Sequence, residues 1–134
     1  MRRCFAAVVA ALSCCLVVVA PASAESSNCN PYQSEGNGVV NVFLVAVTGD
    51  PCTIARVVTQ LAGAPVIPTQ SGFFRVFGPN GHIGDSQTKY WTSSESYRAE
   101  TNQKTHEGTL WCSEFWMQTG STFTRAADPE CIEV

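Results

Sequence analysis

Two histidines, His82 and His106, are the only imidazoles in the 134 residues. A small hydrolase can use a histidine and a carboxylate as its acid and base. Asp85 follows His82 by three positions, and Glu107 adjoins His106. Neighbouring side chains on an extended strand point to opposite faces, so His106 and Glu107 make a poor dyad. Both histidines sit in polar, turn-like stretches and read as solvated loop residues without a local partner. No G-x-S-x-G elbow, H-E-x-x-H helix, EF-hand loop or G-x-x-x-x-G-K-[ST] phosphate loop occurs. The sequence therefore assigns no catalytic residue and implies no cofactor.

The seven cysteines carry a different chemistry. Cys4, Cys14 and Cys15 fall within an N-terminal apolar run that follows Arg2 and Arg3. That run ends in Pro21-Ala22-Ser23-Ala24, with small side chains one and three positions before a cut. This is the pattern of a secretory signal, and the secreted product is expected to begin at Glu25. A lipid-modified Cys14 or Cys15 fits less well, because Ala11-Leu12-Ser13 and Leu12-Ser13-Cys14 are poor lipoboxes. A membrane anchor needs about 20 apolar residues and would waste the cleavage site. Cys29, Cys52, Cys112 and Cys131 then remain, an even number that reads as a disulfide framework outside the cytosol. Of three possible connectivities, Cys29–Cys52 with Cys112–Cys131 is favoured, since each closes a short local loop. Such a loop contributes about 3 kcal/mol in the chain-entropy model. A zinc site would need C-x-x-C or similar spacing, and none is present, so no metal is expected.

The aromatic residues are the remaining chemical feature. Tyr90, Trp91, Tyr97, Trp111, Phe115 and Trp116 gather in the C-terminal half. In the stretch 109–118, period-2 alternation puts Trp111, Phe115 and Met117 on one face. Leu110, Cys112 and Trp116 take the other. One face must meet a core, and the other either packs on a further element or offers a stacking platform. Tyr90 and Trp91 adjoin the polar Thr92-Ser93-Ser94 and are expected to be partly exposed. With Tyr97 they form the expected ligand-binding set.

The elements that must position these groups follow from patterning. Removal of 24 residues leaves one domain, residues 25–134. Losing Arg2 and Arg3 takes the formal charge from −3 to −5. No basic stripe exists, so nucleic acid is not an expected partner. No second long apolar run exists, so no membrane association is expected after cleavage. Residues 39–47 read as a buried strand. Residues 51–62 read as a helix: Asp50 is placed to cap it, Pro51 suits its first position, and Ile54, Val57, Val58 and Leu61 make an apolar stripe. Gly63 would stop it. On this reading Val58→Asp buries an unpaired charge. Residues 73–77 (FFRVF) read as a strand and 78–81 as a turn. Residues 82–91 are a return strand interrupted near 84–86, and 96–100, 109–118 and 122–125 are further strands. The expected fold is α+β or mainly antiparallel β, with one docked helix; a pure small sandwich is the alternative.

The expected role is a secreted, non-catalytic binding protein for an extracellular protein or carbohydrate. A protease inhibitor presenting loop 78–81 or 94–107 is a second reading, and a small extracellular hydrolase a third.

Overall fold

The computed structural model describes residues 28–63 and 69–134, so the expected signal segment and residues 64–68 lie outside it. Ten strands run through the described residues, which contain no helix. They are β1 (Ser34–Gly36), β2 (Val40–Val47), β3 (Asp50–Leu61), β4 (Thr69–Gly78), β5 (Gly81–Asp85), β6 (Lys89–Thr92), β7 (Ser96–Lys104), β8 (Leu110–Thr119), β9 (Thr122–Arg125) and β10 (Glu130–Glu133). The first sheet has the order β1-β2-β3-β7. The second has the order β10-β8-β4-β5, with β6 paired to β4 and β9 to β8. Every pairing is antiparallel. The sheets meet face to face, with β2 against β8 and β3 against β4; β10 meets β1 and β2 at one margin, and β7 meets β5 at the other. The chain is thus a small antiparallel β-sandwich.

Alternation builds its core. Val40, Val42 and Leu44 of β2, Phe74 and Val76 of β4, and Trp111 and Phe115 of β8 all point inward and are buried. Trp91 and Ile132 join them. Several polar groups brought inside are paired. Trp111 Nε1 donates to Thr105 Oγ1 at 3.1 Å, and Trp91 Nε1 donates to the Gly72 carbonyl at 3.1 Å. The fully buried Ser113 and Thr59 hydroxyls bond at 3.0 Å, joining one sheet to the other. Each such pair avoids the cost of about 1–3 kcal/mol for an unmet buried donor or acceptor.

The expected helix at 51–62 is the main correction, because these residues form β3. Asp50 does make bonds of the kind a helix cap makes: Oδ1 accepts from the Cys52 amide at 3.2 Å and Oδ2 from Thr53 Oγ1 at 2.7 Å. The same bonds serve an Asx-type turn, and here they open a strand after the Thr48-Gly49 turn. Thr53, Ile54, Val57, Val58 and Thr59 are β-branched, which favours the pleated conformation. The helical spacing of Ile54 and Val57 comes from a bulge. Val45 pairs Arg56 and Ala46 pairs Ile54, so Ala55 is an extra residue and the alternation changes phase there. Ile54, Val57, Thr59 and Leu61 are buried, whereas Val58 lies half-buried on the outer face.

Other boundaries shift modestly. β4 begins at Thr69, within the stretch expected to be a loop, and β7 continues to Lys104. β1 occupies a segment read as turn-rich. The favoured disulfide pairing is the one formed. Cys29–Cys52 fastens the N-terminal arm to the start of β3, and Cys112–Cys131 joins directly opposed residues of β8 and β10. Two disulfides suit an oxidising, extracellular setting. Among the described residues, no helix is long and apolar enough to cross a membrane.

Candidate functional site

The outer face of the second sheet concentrates the chemistry. In β4 the alternation that sends Phe74 and Val76 inward sends Phe73, Arg75 and Phe77 outward. β8 places Trp116 opposite Phe73, Glu114 opposite Arg75 and Cys112 opposite Phe77. On the other side, β5 places Asp85 opposite Arg75 and His82 opposite Phe77. Three cross-strand rows result, with a charged row between two that carry aromatic rings.

Arg75 is the hub. Its Nε and Nη2 donate to Asp85 Oδ1 and Oδ2 at 2.9 and 2.7 Å, a two-pronged guanidinium–carboxylate pair. Its guanidinium carbon stands 5.3 Å from the Phe73 ring centroid and 5.5 Å from that of Trp116, within cation–π range. The Phe73 and Trp116 planes are parallel to within 4°, and Phe123 of β9 meets Phe73 edge-on at 5.2 Å. Phe123 is 41 % exposed, and Phe73, Phe77 and Trp116 are half-buried. Below this layer Glu114, 5 % exposed, accepts from Trp116 Nε1 at 2.8 Å and faces Arg125 at 3.5 Å. These bonds fix the orientation of the indole.

His82 does have a partner, contrary to the sequence reading. Its Nε2 lies 2.8 Å from Asp85 Oδ1. Residues three apart on a regular strand face opposite ways, but Val76 pairs Gly84 while Phe77 pairs His82. Ile83 is therefore an extra residue, and the bulge puts His82 and Asp85 on one face. The pair makes a weak acid–base device, because Asp85 is already committed to Arg75. The nearby Ser86 Oγ is also occupied, accepting from the Phe74 amide and donating to the Gln87 carbonyl. His106 is an exposed turn residue whose backbone amide bonds Thr109 Oγ1.

The Asp85 carboxyl is held below the usual carboxylate range, mainly by its hydrogen bonds from Arg75 and less by His82, while partial burial opposes them. The same pairing raises Arg75. A depressed folded-state value stabilises the fold above the unfolded pKa of about 3.9 and is lost as pH falls through the folded value. Asp85→Asn is therefore expected to cost about 1 kcal/mol at neutral pH, since the pair is one-third exposed. Melting curves from pH 7 to pH 2 should show the two proteins converging below about pH 4. A gap unchanged across that range would show that the carboxylate charge contributes nothing.

The expected aromatic set does not assemble into one surface. Tyr90 is 63 % exposed and donates to Thr69 Oγ1, whereas Trp91 is 5 % exposed, in the core, with Lys89 Nζ 4.2 Å from its ring centroid. Tyr97 points inward from β7, half-buried near Asp85, and burial raises its pKa. Phe73, Arg75 and Phe77 were missed as site residues, although their F-x-R-x-F alternation already places them on one face. Of the expected inhibitor loops, 94–107 is largely the paired strand β7. The 78–81 turn is a tight hairpin connection bonded through Asn80 Nδ2 to Gln103. Among the described residues no group of three or more His, Cys, Asp or Glu side chains could hold a metal.

Fold and site together define a small disulfide-bonded β-sandwich with a structured aromatic and charged outer face. Comparisons with protein-family models, curated proteins and solved structures find no match to this chain.

Proposed function

We propose that the chain is a secreted, non-catalytic binding protein that holds an extracellular carbohydrate or protein against the outer face of its second sheet. One observation carries this reading: Phe73, Trp116 and Phe123 present partly exposed rings around an Arg75 held in place by Asp85. Aromatic rings give large contact area for little lost side-chain freedom, and a fixed guanidinium gives directional hydrogen bonding without an ordering cost. Parallel rings beside an Arg–Asp–His strip suit the apolar face and hydroxyl rim of a sugar, so carbohydrate is the first class to test. The signal-like residues 1–24 and the two disulfides support export.

The hydrolase reading has one observation in its favour, the His82–Asp85 contact. It lacks an activated nucleophile beside that pair, and its carboxylate is shared with Arg75.

Tryptophan fluorescence gives a direct test. Trp91 and Trp111 are buried, so Trp116 is the indole that an outside ligand can touch. Titration with soluble oligosaccharides of neutral and acidic types is expected to change its emission saturably. Trp116→Phe should remove the signal, and Phe123→Ala should weaken binding about tenfold. If no sugar changes the emission, carbohydrate is eliminated. If a partner isolated by other means binds the Trp116 and Phe123 variants as tightly as the parent, the proposed face is wrong.

A further inference from the structure

The outer face of the opposite sheet carries a second feature, independent of the aromatic one. Val45 of β2 pairs Arg56 of β3, which pairs Glu100 of β7; in the next outward row Val58 pairs Arg98. Val45, Arg56, Val58 and Arg98 line a basin of about 240 Å³. It has aliphatic walls and two guanidinium groups.

The distribution of charge makes this basin unusual. Arg75, Lys89, Lys104 and Arg125 each lie within 3.5 Å of a carboxylate. Arg56 meets its carboxylate, Glu100, only at 3.7 Å and through Nη1, and its buried Nε has no hydrogen-bond partner. Arg98 is exposed and makes no ion pair among the described residues. Among the described residues, the positive charge left weakly compensated or unpaired is thus gathered on one sheet face, over apolar walls.

We propose that this basin binds a small monoanionic carboxylate with a short branched or aromatic apolar group. The guanidinium fork matches a carboxylate, and Val45 and Val58 offer contact to a few carbons. The volume falls below the range of about 300–1,000 Å³ usual for drug-sized ligands, so the occupant is small. The donors are side chains alone, because the β3 amides are used in the sheet. Glu100 at the rim repels a second negative charge. Both facts favour a carboxylate over a phosphate dianion. The shared chemistry has two sources, a free organic acid or the terminal carboxylate of a peptide.

The test uses the whole folded protein, with benzoate as the free acid and N-acetylvaline as the peptide-end mimic. Benzamide and inorganic phosphate are the controls. Backbone and arginine side-chain ¹H–¹⁵N shifts are followed. At least one carboxylate should give saturable shifts at Arg56, Arg98, Val45 and Val58, with Kd on the order of 1 mM or tighter. Binding by benzoate points to a free acid, and binding by N-acetylvaline alone points to a peptide end. Arg98→Gln, which removes no ion pair, should weaken binding about tenfold while leaving the melting temperature unchanged. Absence of saturable shifts with both carboxylates would overturn the site. So would equal binding of benzamide, tighter binding of phosphate, or unchanged affinity in Arg98→Gln. Trp116→Phe should not alter these titrations, which keeps this site separable from the aromatic face.

Discussion

Val57→Asp is expected to unfold or severely destabilise the protein, and Val58→Asp to leave it folded. Val57 is fully buried, opposite Leu44 on one side and Ala99 on the other, both also buried. A carboxylate there is taken into the apolar core, and its cost is several kcal/mol, about 4 or more. For a domain near 100 residues that lowers the melting temperature by roughly 20 °C. Val58 is one residue along and faces the other way, between Phe43 and Arg98, with Arg56 lining the same basin. An aspartate there stays partly solvated beside two positive groups, and the loss should be about 1 kcal/mol or less. Thermal melts of the two variants decide the matter. Similar large losses would mean that both residues face the core, as a helix would require, and would sink the bulged strand described for β3.

The second large effect is expected at Gly72. A Cβ built there would stand 2.1 Å from the Trp116 carbonyl oxygen and 2.7 Å from a ring carbon of Phe115. Both belong to β8, the strand hydrogen-bonded to β4 at this point. Neither a ladder carbonyl nor a buried ring can retreat cheaply, so Gly72→Ala should cost about 3 kcal/mol, at the upper end for overpacking. It should also disturb the register of Phe73 with Trp116, and thus the emission of Trp116. Gly120→Ala is the control. Gly120 has φ 65° but open space around its Cα, so the loss should be confined to left-handed strain of about 1 kcal/mol. If Gly72→Ala melts no lower than Gly120→Ala, β4 and β8 are not as closely apposed as described.

These residues also show how far the sequence can be read. The alternation in β8 correctly separated Trp111 and Phe115, which are buried, from Trp116, which faces out. That inference needed only the two-residue period of a strand. The cysteine pairing was legible because each pair closes a short loop. What failed was parity across a bulge. Ile54 and Val57 share a face, as do His82 and Asp85, through one extra residue in each strand. A three-residue spacing of that kind imitates a helix at one site and hid a side-chain contact at the other. The bulge depends on which strand lies alongside, and no local pattern in the sequence names the neighbour. Trp91 was expected at the surface because polar residues follow it, yet its inward face is set by pairing with Gln70 in β4.

The positions of the two disulfides have a mechanical consequence. A force applied between the ends of the folded chain enters near Cys29 and crosses at once to Cys52. At the other end it passes from Cys131 to Cys112. The segments enclosed by these links, between cysteines 23 and 19 positions apart, carry none of the load. β1 and β2 are shielded in one enclosed segment, and β9 with most of β8 in the other, so about 140 Å of contour is withheld at any force short of breaking a covalent bond. The tension falls on β3 through β7, the part of the chain without a covalent link, where β3 and β4 carry the two sides of the core. Under reducing conditions the withheld length is released, and the same pull would first peel the short outer strands β1 and β10. The redox state of four cysteines thus selects whether the sandwich is loaded through its central strands or unzipped from its margins.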